Sequence, residues 1–289
     1  MKKERRGYAV QDDIVKLTRR YPQLLLPIRE GERQTEEYQE SVLGGRPLER
    51  EPDFVCPEEI ELAACDTPAG LAETVCFGRR EDFIHAYRAL AYRCEPADIP
   101  DSVGAGYIGG LINWEKIRAH RDTYLAAGGT DWEAEFGRFT SDRKNYRDSL
   151  ILLSSGDYSN LSAEIVGLPA EEWRRKSLTI RRYHELTHFV CRALYPDNVD
   201  ALRDEVIADA IGLVAAFGRY DTALAARFLG VEGGGFREGG RLSHYVKDGE
   251  LQAAVDRAKD LIAEYAARIE KAHPEAGGDV FALLLGIFP

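Results

Sequence analysis

A chain of 289 residues, 44% of them apolar, is long enough to bury a full core as one large domain or two packed lobes. Its net charge of −11 argues against a nucleic-acid or anionic-membrane binder, because phosphate recognition needs a surplus of Lys and Arg on one face. The charged start leads into no secretory segment, no apolar run approaches the roughly 20 residues of a membrane helix, and the five cysteines form no Cys-x-x-Cys pair. A cytoplasmic protein with reduced thiols is therefore the expectation.

Residues 1–50 are strongly charged, with a helix expected around Val10 to Arg20 and an apolar run from Leu24 to Ile28. They read as an arm or a flap, and as a candidate inhibitory cover. Short apolar runs, Ile60 to Ala64 and Thr74 to Phe77, flank Asp66-Thr67-Pro68-Ala69-Gly70 and predict strand, turn, strand. A helix is expected over Arg80 to Arg93. The stretch from Pro100 to Trp114 holds a formal Gly-x-Gly-x-x-Gly string at Gly104, Gly106 and Gly109. A dinucleotide fingerprint must close a buried strand and open a helix, but Glu95 to Ser102 is polar and carries two prolines, so a mobile loop or a glycine turn is expected. A polar helix near Trp114 to Ala127 comes next.

Ser149 to Ser154 reads as a buried strand, with Leu161 to Val166 as a weaker second one. Pro169 then opens a long helix with Glu171 and Glu172 in its first turn, where acidic side chains offset the helix dipole, and Tyr195-Pro196 stops it. The next helix starts at a cap near Asn198 or Asp200 and runs to about Gly218. A flexible glycine loop is expected from Gly230 to Gly240. Beyond it, Leu251, Val255, Ala258, Leu261, Ile262, Tyr265 and Ile269 mark one apolar face of a helix.

Within the long helix stands His184-Glu185-Leu186-Thr187-His188. Residues four apart lie one turn above each other, so both imidazoles can reach one zinc ion at about 2.0–2.1 Å. Glu185, rotated from His184 by about 100°, can serve as the general base for a water. Two histidines need a third ligand, and the next helix offers Glu205, with Asp209 one turn on as the acceptor that fixes the tautomer of a ligating imidazole.

His-Glu-Leu-Thr-His followed by Glu-x-x-Ala-Asp resembles the gluzincin metallopeptidases, the thermolysin-like zinc enzymes, over residues 183–212. The short connection from His188 to Glu205 fits a loop at Tyr195-Pro196-Asp197, and departs from the longer spacing of thermolysin-like members. The resemblance implies a zincin-like α+β fold, mainly helical, with Zn2+ held by His184, His188 and Glu205. It implies hydrolysis of a peptide or protein substrate with Glu185 as base, and a Tyr or His beyond the second helix facing the metal; Tyr245 and His244 are the candidates. It also implies an N-terminal lobe, residues 1–195, ending in the metal-bearing helix, a helical lobe over residues 196–289, and a cleft between them. By the same analogy, residues 149–168 would give an edge strand for the substrate. Two alternatives remain open: a catalytically inactive zincin-fold protein acting as a binding or scaffold module, and a zinc hydrolase of a non-peptide amide.

The other residues that invite a role are expected to be bland. His85 and His120 read as surface side chains and Cys191 as packing. Arg174, Arg175, Lys176, Arg181 and Arg182 form a mostly solvated face, with Arg181 a candidate contact for a substrate carboxylate.

Overall fold

A computed structural model describes residues 13–101, 103–197, 200–246 and 249–288. It is α+β and mainly helical, with a small mixed sheet. Contacts divide the chain into two compact units: residues 1–63, 73–99 and 106–154, and residues 64–72, 100–105 and 155–289.

The first unit opens with α1, helical over residues 13–20; the start of the expected helix, from Val10 to Asp12, lies outside the described residues. From α1 onward the segment is not an arm, because Leu17, Tyr21 and Leu24 are fully buried, and returning apolar side chains of that size to water costs about 1.5–3 kcal/mol each. The sheet has the order β1-β2-β4-β3, with β1 Ile60–Thr67, β2 Gly70–Phe77, β3 Ala105–Ile112 and β4 Arg147–Ser154. The predicted strand, turn, strand is therefore present as β1 and β2, neighbours in the sheet.

Strand β4 pairs in parallel with β2, Thr74 opposite Ile151 and Phe77 opposite Ser154. Leu150, Ile151, Leu152 and Leu153 are all buried, the continuous apolar run expected of a strand covered on both faces. Because β2 and β3 flank it, β4 is interior, and the expectation of an edge strand from residue 149 fails: a fully apolar run belongs inside a sheet. The glycine-rich stretch is not a loop or a turn but strand β3, at the edge. Helices α2 Arg80–Ala91, α3 Trp114–Ala126 and α4 Trp132–Thr140 complete this unit; α4, which buries no residue, has no counterpart among the predicted elements.

Asp148 ties the unit together. Its carboxylate accepts from the Tyr21 hydroxyl at 3.1 Å, the Asn113 amide at 2.5 Å and the Lys116 ammonium at 2.5 Å. His85 and His120 are not free surface side chains. His85 packs edge-on against Phe54, and burial lowers its pKa; His120 stacks on Phe139 and pairs with Glu135.

In the second unit α5, Ala170–Leu194, starts at Pro169 and ends at Tyr195, as its sequence predicts. Its buried stripe of Trp173, Ser177, Ile180, His184, Thr187, His188 and Cys191 recurs at helical spacing. Cys191 is indeed packing, 2% exposed. Helix α6, Ala201–Phe217, is capped by Asp200, whose side chain accepts from the Arg203 amide, and stops at Gly218 in the left-handed region. Its run from Val206 to Val214 is buried throughout, so α6 is a central helix covered on all sides. Then come α7 Thr222–Leu229, a two-residue ladder of β5 Val231–Glu232 and β6 Gly235–Phe236, α8 Leu251–Ala276 and α9 Val280–Ile287. The weak strand expected at 161–166 is a single helical turn, Ala163–Val166, opened by the side-chain cap of Ser162 and ended at Gly167.

Gly212 lets α5 and α6 approach. A Cβ there would lie 2.8 Å from the Ile180 carbonyl oxygen, one helical turn before His184. Gly212→Ala should destabilise the protein by about 1–3 kcal/mol through overpacking, read as a lowered midpoint in urea.

Asp148 sets an acid limb. Burial works to raise its pKa, but the hydrogen bonds from Lys116 and Asn113 outweigh it and hold the carboxyl below its ordinary value. A depressed folded pKa gives stability that is present above the ordinary carboxylate range and is lost as pH falls through the folded value. Urea midpoints should hold down to about pH 4 and fall below it, and Asp148→Asn should flatten that fall.

Candidate metal centre

The site is built by two adjacent helices of the second unit. His184 and His188 share the buried stripe of α5, and Glu205 lies one turn into α6. The Nε2 atoms of the two imidazoles are 3.0 Å apart. Glu205 Oε2 lies 3.4 Å from His184 Nε2, and its Oε1 lies 3.4 Å from His188 Nε2. Two ligands about 2.1 Å from a tetrahedral ion stand about 3.4 Å apart, so three donors at these separations have the spacing of one small cation's ligands. The three are the His/Glu group of this chain that can hold a metal ion, among the described residues.

The outer nitrogens decide what the inner ones present. His184 Nδ1 lies 2.9 Å from Asp209 Oδ1, and His188 Nδ1 lies 2.8 Å from Asp204 Oδ2. A carboxylate accepts only, so each Nδ1 donates its proton outward and each ring turns its Nε2 toward Glu205, a lone pair whenever that nitrogen carries no proton. Two ring nitrogens and a carboxylate within 3.4 Å need positive charge among them, supplied by protons on the rings or by a bound cation. The donor set thus fits a divalent ion.

Charge points the same way. Asp209 and Glu205 face the guanidinium of Arg241, which bonds Asp209 Oδ2 at 2.6 Å and lies 3.7 Å from Glu205 Oε2, while Asp204 faces His188. Burial opposes the imidazolium of His188, but its hydrogen bonds to Asp204 and Glu205 push its pKa up to about 10. In His184, burial is likewise outweighed by Asp209 and Glu205, and the pKa is raised. Burial would raise the Glu205 pKa, but the two imidazoles hold it far below its ordinary value. The carboxylates thus favour positive charge at this point, carried by protons on the imidazoles or by a bound cation.

The other sequence candidates divide. Asp209, 1% exposed, occupies the expected place behind His184. Glu185 is half-buried and its charge acts on His188. Tyr245 comes close, donating from its hydroxyl to Glu205 Oε2 at 2.9 Å. His244 is not brought in; its side chain is exposed. Arg181 is no free substrate contact: it is 5% exposed and donates to the Gly156 and Asp157 carbonyls at 2.9 and 3.1 Å. Over residues 7–281 the chain matches a family of unknown function (DUF7005). It belongs to that family. No curated protein and no solved structure matches it. No described helix is long and apolar enough to cross a membrane.

Sequence reasoning missed Asp204, Tyr158 and Arg241. Asp204 stands directly before Glu205, and a second carboxylate for the second histidine was there to be found. Tyr158 and Arg241 arrive on irregular segments that carry no period. Arg241 comes directly after the glycine loop, which is not open at its neck: a Cβ on Gly240 would lie 2.7 Å from the Gly230 Cα, so the backbones touch and fix where Arg241 emerges.

Removing Asp209 would strand a buried guanidinium and imidazole. Asp209→Ala should cost about 3–5 kcal/mol, the range for breaking a buried charge pair, seen as a large drop in the urea midpoint.

Proposed function

We propose that this protein is a zinc-dependent metallopeptidase with a zincin-like fold and a gluzincin-like centre, zinc being held by His184, His188 and Glu205. The observation that supports the reading is the convergence of those three donors at 3.0–3.4 Å with both outer ring nitrogens committed to carboxylates. A His2Glu set leaves a position open for water or substrate, as hydrolytic zinc sites do. Bound there, zinc would supply Lewis acidity, polarising a substrate oxygen and acidifying a water molecule.

The chain's own residues carry the proton. Glu185, next in sequence to His184 and outside the ligand set, takes the proton of the attacking water and returns it to the leaving amine. A purely structural zinc site has no use for such a base. Tyr245, tied to Glu205 through its hydroxyl, is the nearest candidate to donate to the oxygen that becomes anionic. Asp204 and Asp209 keep both imidazoles turned inward. Peptide or protein is the substrate class, and the cytoplasm the compartment, of this reading.

The test joins metal content to turnover. Protein dialysed against metal-free buffer should retain about one zinc per chain, and His184→Ala and Glu205→Ala should lose it. Against a mixture of quenched fluorescent peptides, Glu185→Gln should keep its zinc and lose about 10²–10⁴-fold in rate. Zinc retention with no peptide cleaved by either form would instead support the catalytically inactive binding module.

A further inference from the structure

Tyr158 is 4% exposed, and its hydroxyl meets three groups. It donates to Asp209 Oδ1 at 2.6 Å, accepts from Arg241 Nη1 at 2.8 Å and lies 2.9 Å from His184 Nδ1. Asp209 is engaged on both oxygens, Oδ1 by His184 and Tyr158, Oδ2 by Arg241. The Tyr158 ring faces two guanidinium carbons, Arg181 at 5.6 Å and Arg241 at 5.3 Å from its centroid.

The segment that presents Tyr158 is strained and firmly held. Ser159 and Asn160 both have a φ of 54°, a left-handed backbone that side chains other than glycine seldom adopt. Such strain persists only where the surroundings over-determine it, and it gathers at functional sites. Here the Tyr158 amide donates to Ser177 Oγ at 3.0 Å, Ser159 Oγ to the Phe228 carbonyl at 2.6 Å, and the buried Arg181 to the two carbonyls just before Tyr158. From the other side, Arg241 is fixed by the touching backbones of Gly230 and Gly240.

We propose that Tyr158 and Arg241 are positioning residues of the metal centre. They clamp Asp209 from both of its oxygens, so that the ring of His184 is locked with Nε2 toward Glu205 before an ion arrives, and they thereby set the affinity of the site for a divalent cation of the zinc type. The proposal rests on the reading of His184, His188 and Glu205 as metal ligands. Alone, the Asp209 carboxylate would keep a single tie to His184 and could rotate about its side-chain bonds; with all three partners only one orientation satisfies every donor. Partners behind a ligating histidine are worth about 10–100-fold in metal affinity.

The test uses the full chain and zinc itself. Zinc affinity is measured by competition with a chromophoric chelator for wild type, Tyr158→Phe, Arg241→Met and Arg241→Lys, together with the visible spectrum after cobalt loading and the melting temperature after chelator treatment. Tyr158→Phe and Arg241→Met should each weaken zinc binding by about tenfold or more and alter the cobalt bands, with Arg241→Lys restoring part of the loss. Unchanged affinity and spectrum beside a lowered metal-free melting temperature would overturn the proposal and leave the pair a merely structural role. Should Arg241→Met fail to fold, Tyr158→Phe decides, since it removes one oxygen and keeps the ring. Wild type that takes up no zinc refutes the metal reading and this proposal together, whereas wild type that binds with unaffected variants refutes this proposal alone.

Discussion

Everything in the site depends on α5 lying close against α6. Two imidazoles buried on one helix and a half-buried carboxylate on the next would each be costly alone, because charge and unsatisfied hydrogen-bonding groups are penalised away from water. Together, and backed by Asp204, Asp209 and Arg241, they satisfy one another. Gly212 permits the approach, with room for no side chain beneath the Ile180 carbonyl. The helices that carry the polar centre are packed in a hydrophobic cluster that includes Val206, Ile207, Ile211, Trp173 and Phe228, each almost fully buried.

That surround shapes the electrostatics. Coulomb interactions are strongest where water cannot screen them, and this cluster holds more carboxylate than guanidinium charge. The result is a fixed negative field aimed at the point shared by both Nε2 atoms. Arg241 tempers it without meeting the imidazoles, since its contacts go to Asp209 and Tyr158, and more distantly to Glu205. The groups of the site are organised by the packing of the two helices, and the cost of organising them is met in folding.

The first unit is held by different means. Its interior strand β4 is apolar through its buried run, and the polar ties converge on one carboxylate, Asp148, which joins α1's end, the start of α3 and β4. The glycine string that formally suggests a nucleotide fingerprint is an edge strand instead. Its spacing carries no phosphate-binding geometry, because a strand extends where the fingerprint requires a turn into a helix.

The sequence alone determined the helices that carry the site. His184 and His188 four apart, Glu205 and Asp209 four apart, Pro169 before one helix and Asp200 and Gly218 around the other are local signals, and helical periodicity is a local property. It equally determined β1, β2 and β4, whose apolar runs are short and bounded by turns. What only the tertiary structure decided was whatever arrives from far along the chain. Tyr158 and Arg241 sit 83 positions apart on irregular segments, and nothing near either residue announces that both will meet Asp209. The same holds for the order of the strands, which makes β4 interior and β3 an edge, and for Arg181, whose exposed-looking helical position is buried by the turn it anchors. Periodicity records which face a residue takes within its own element; only packing selects what that face will touch.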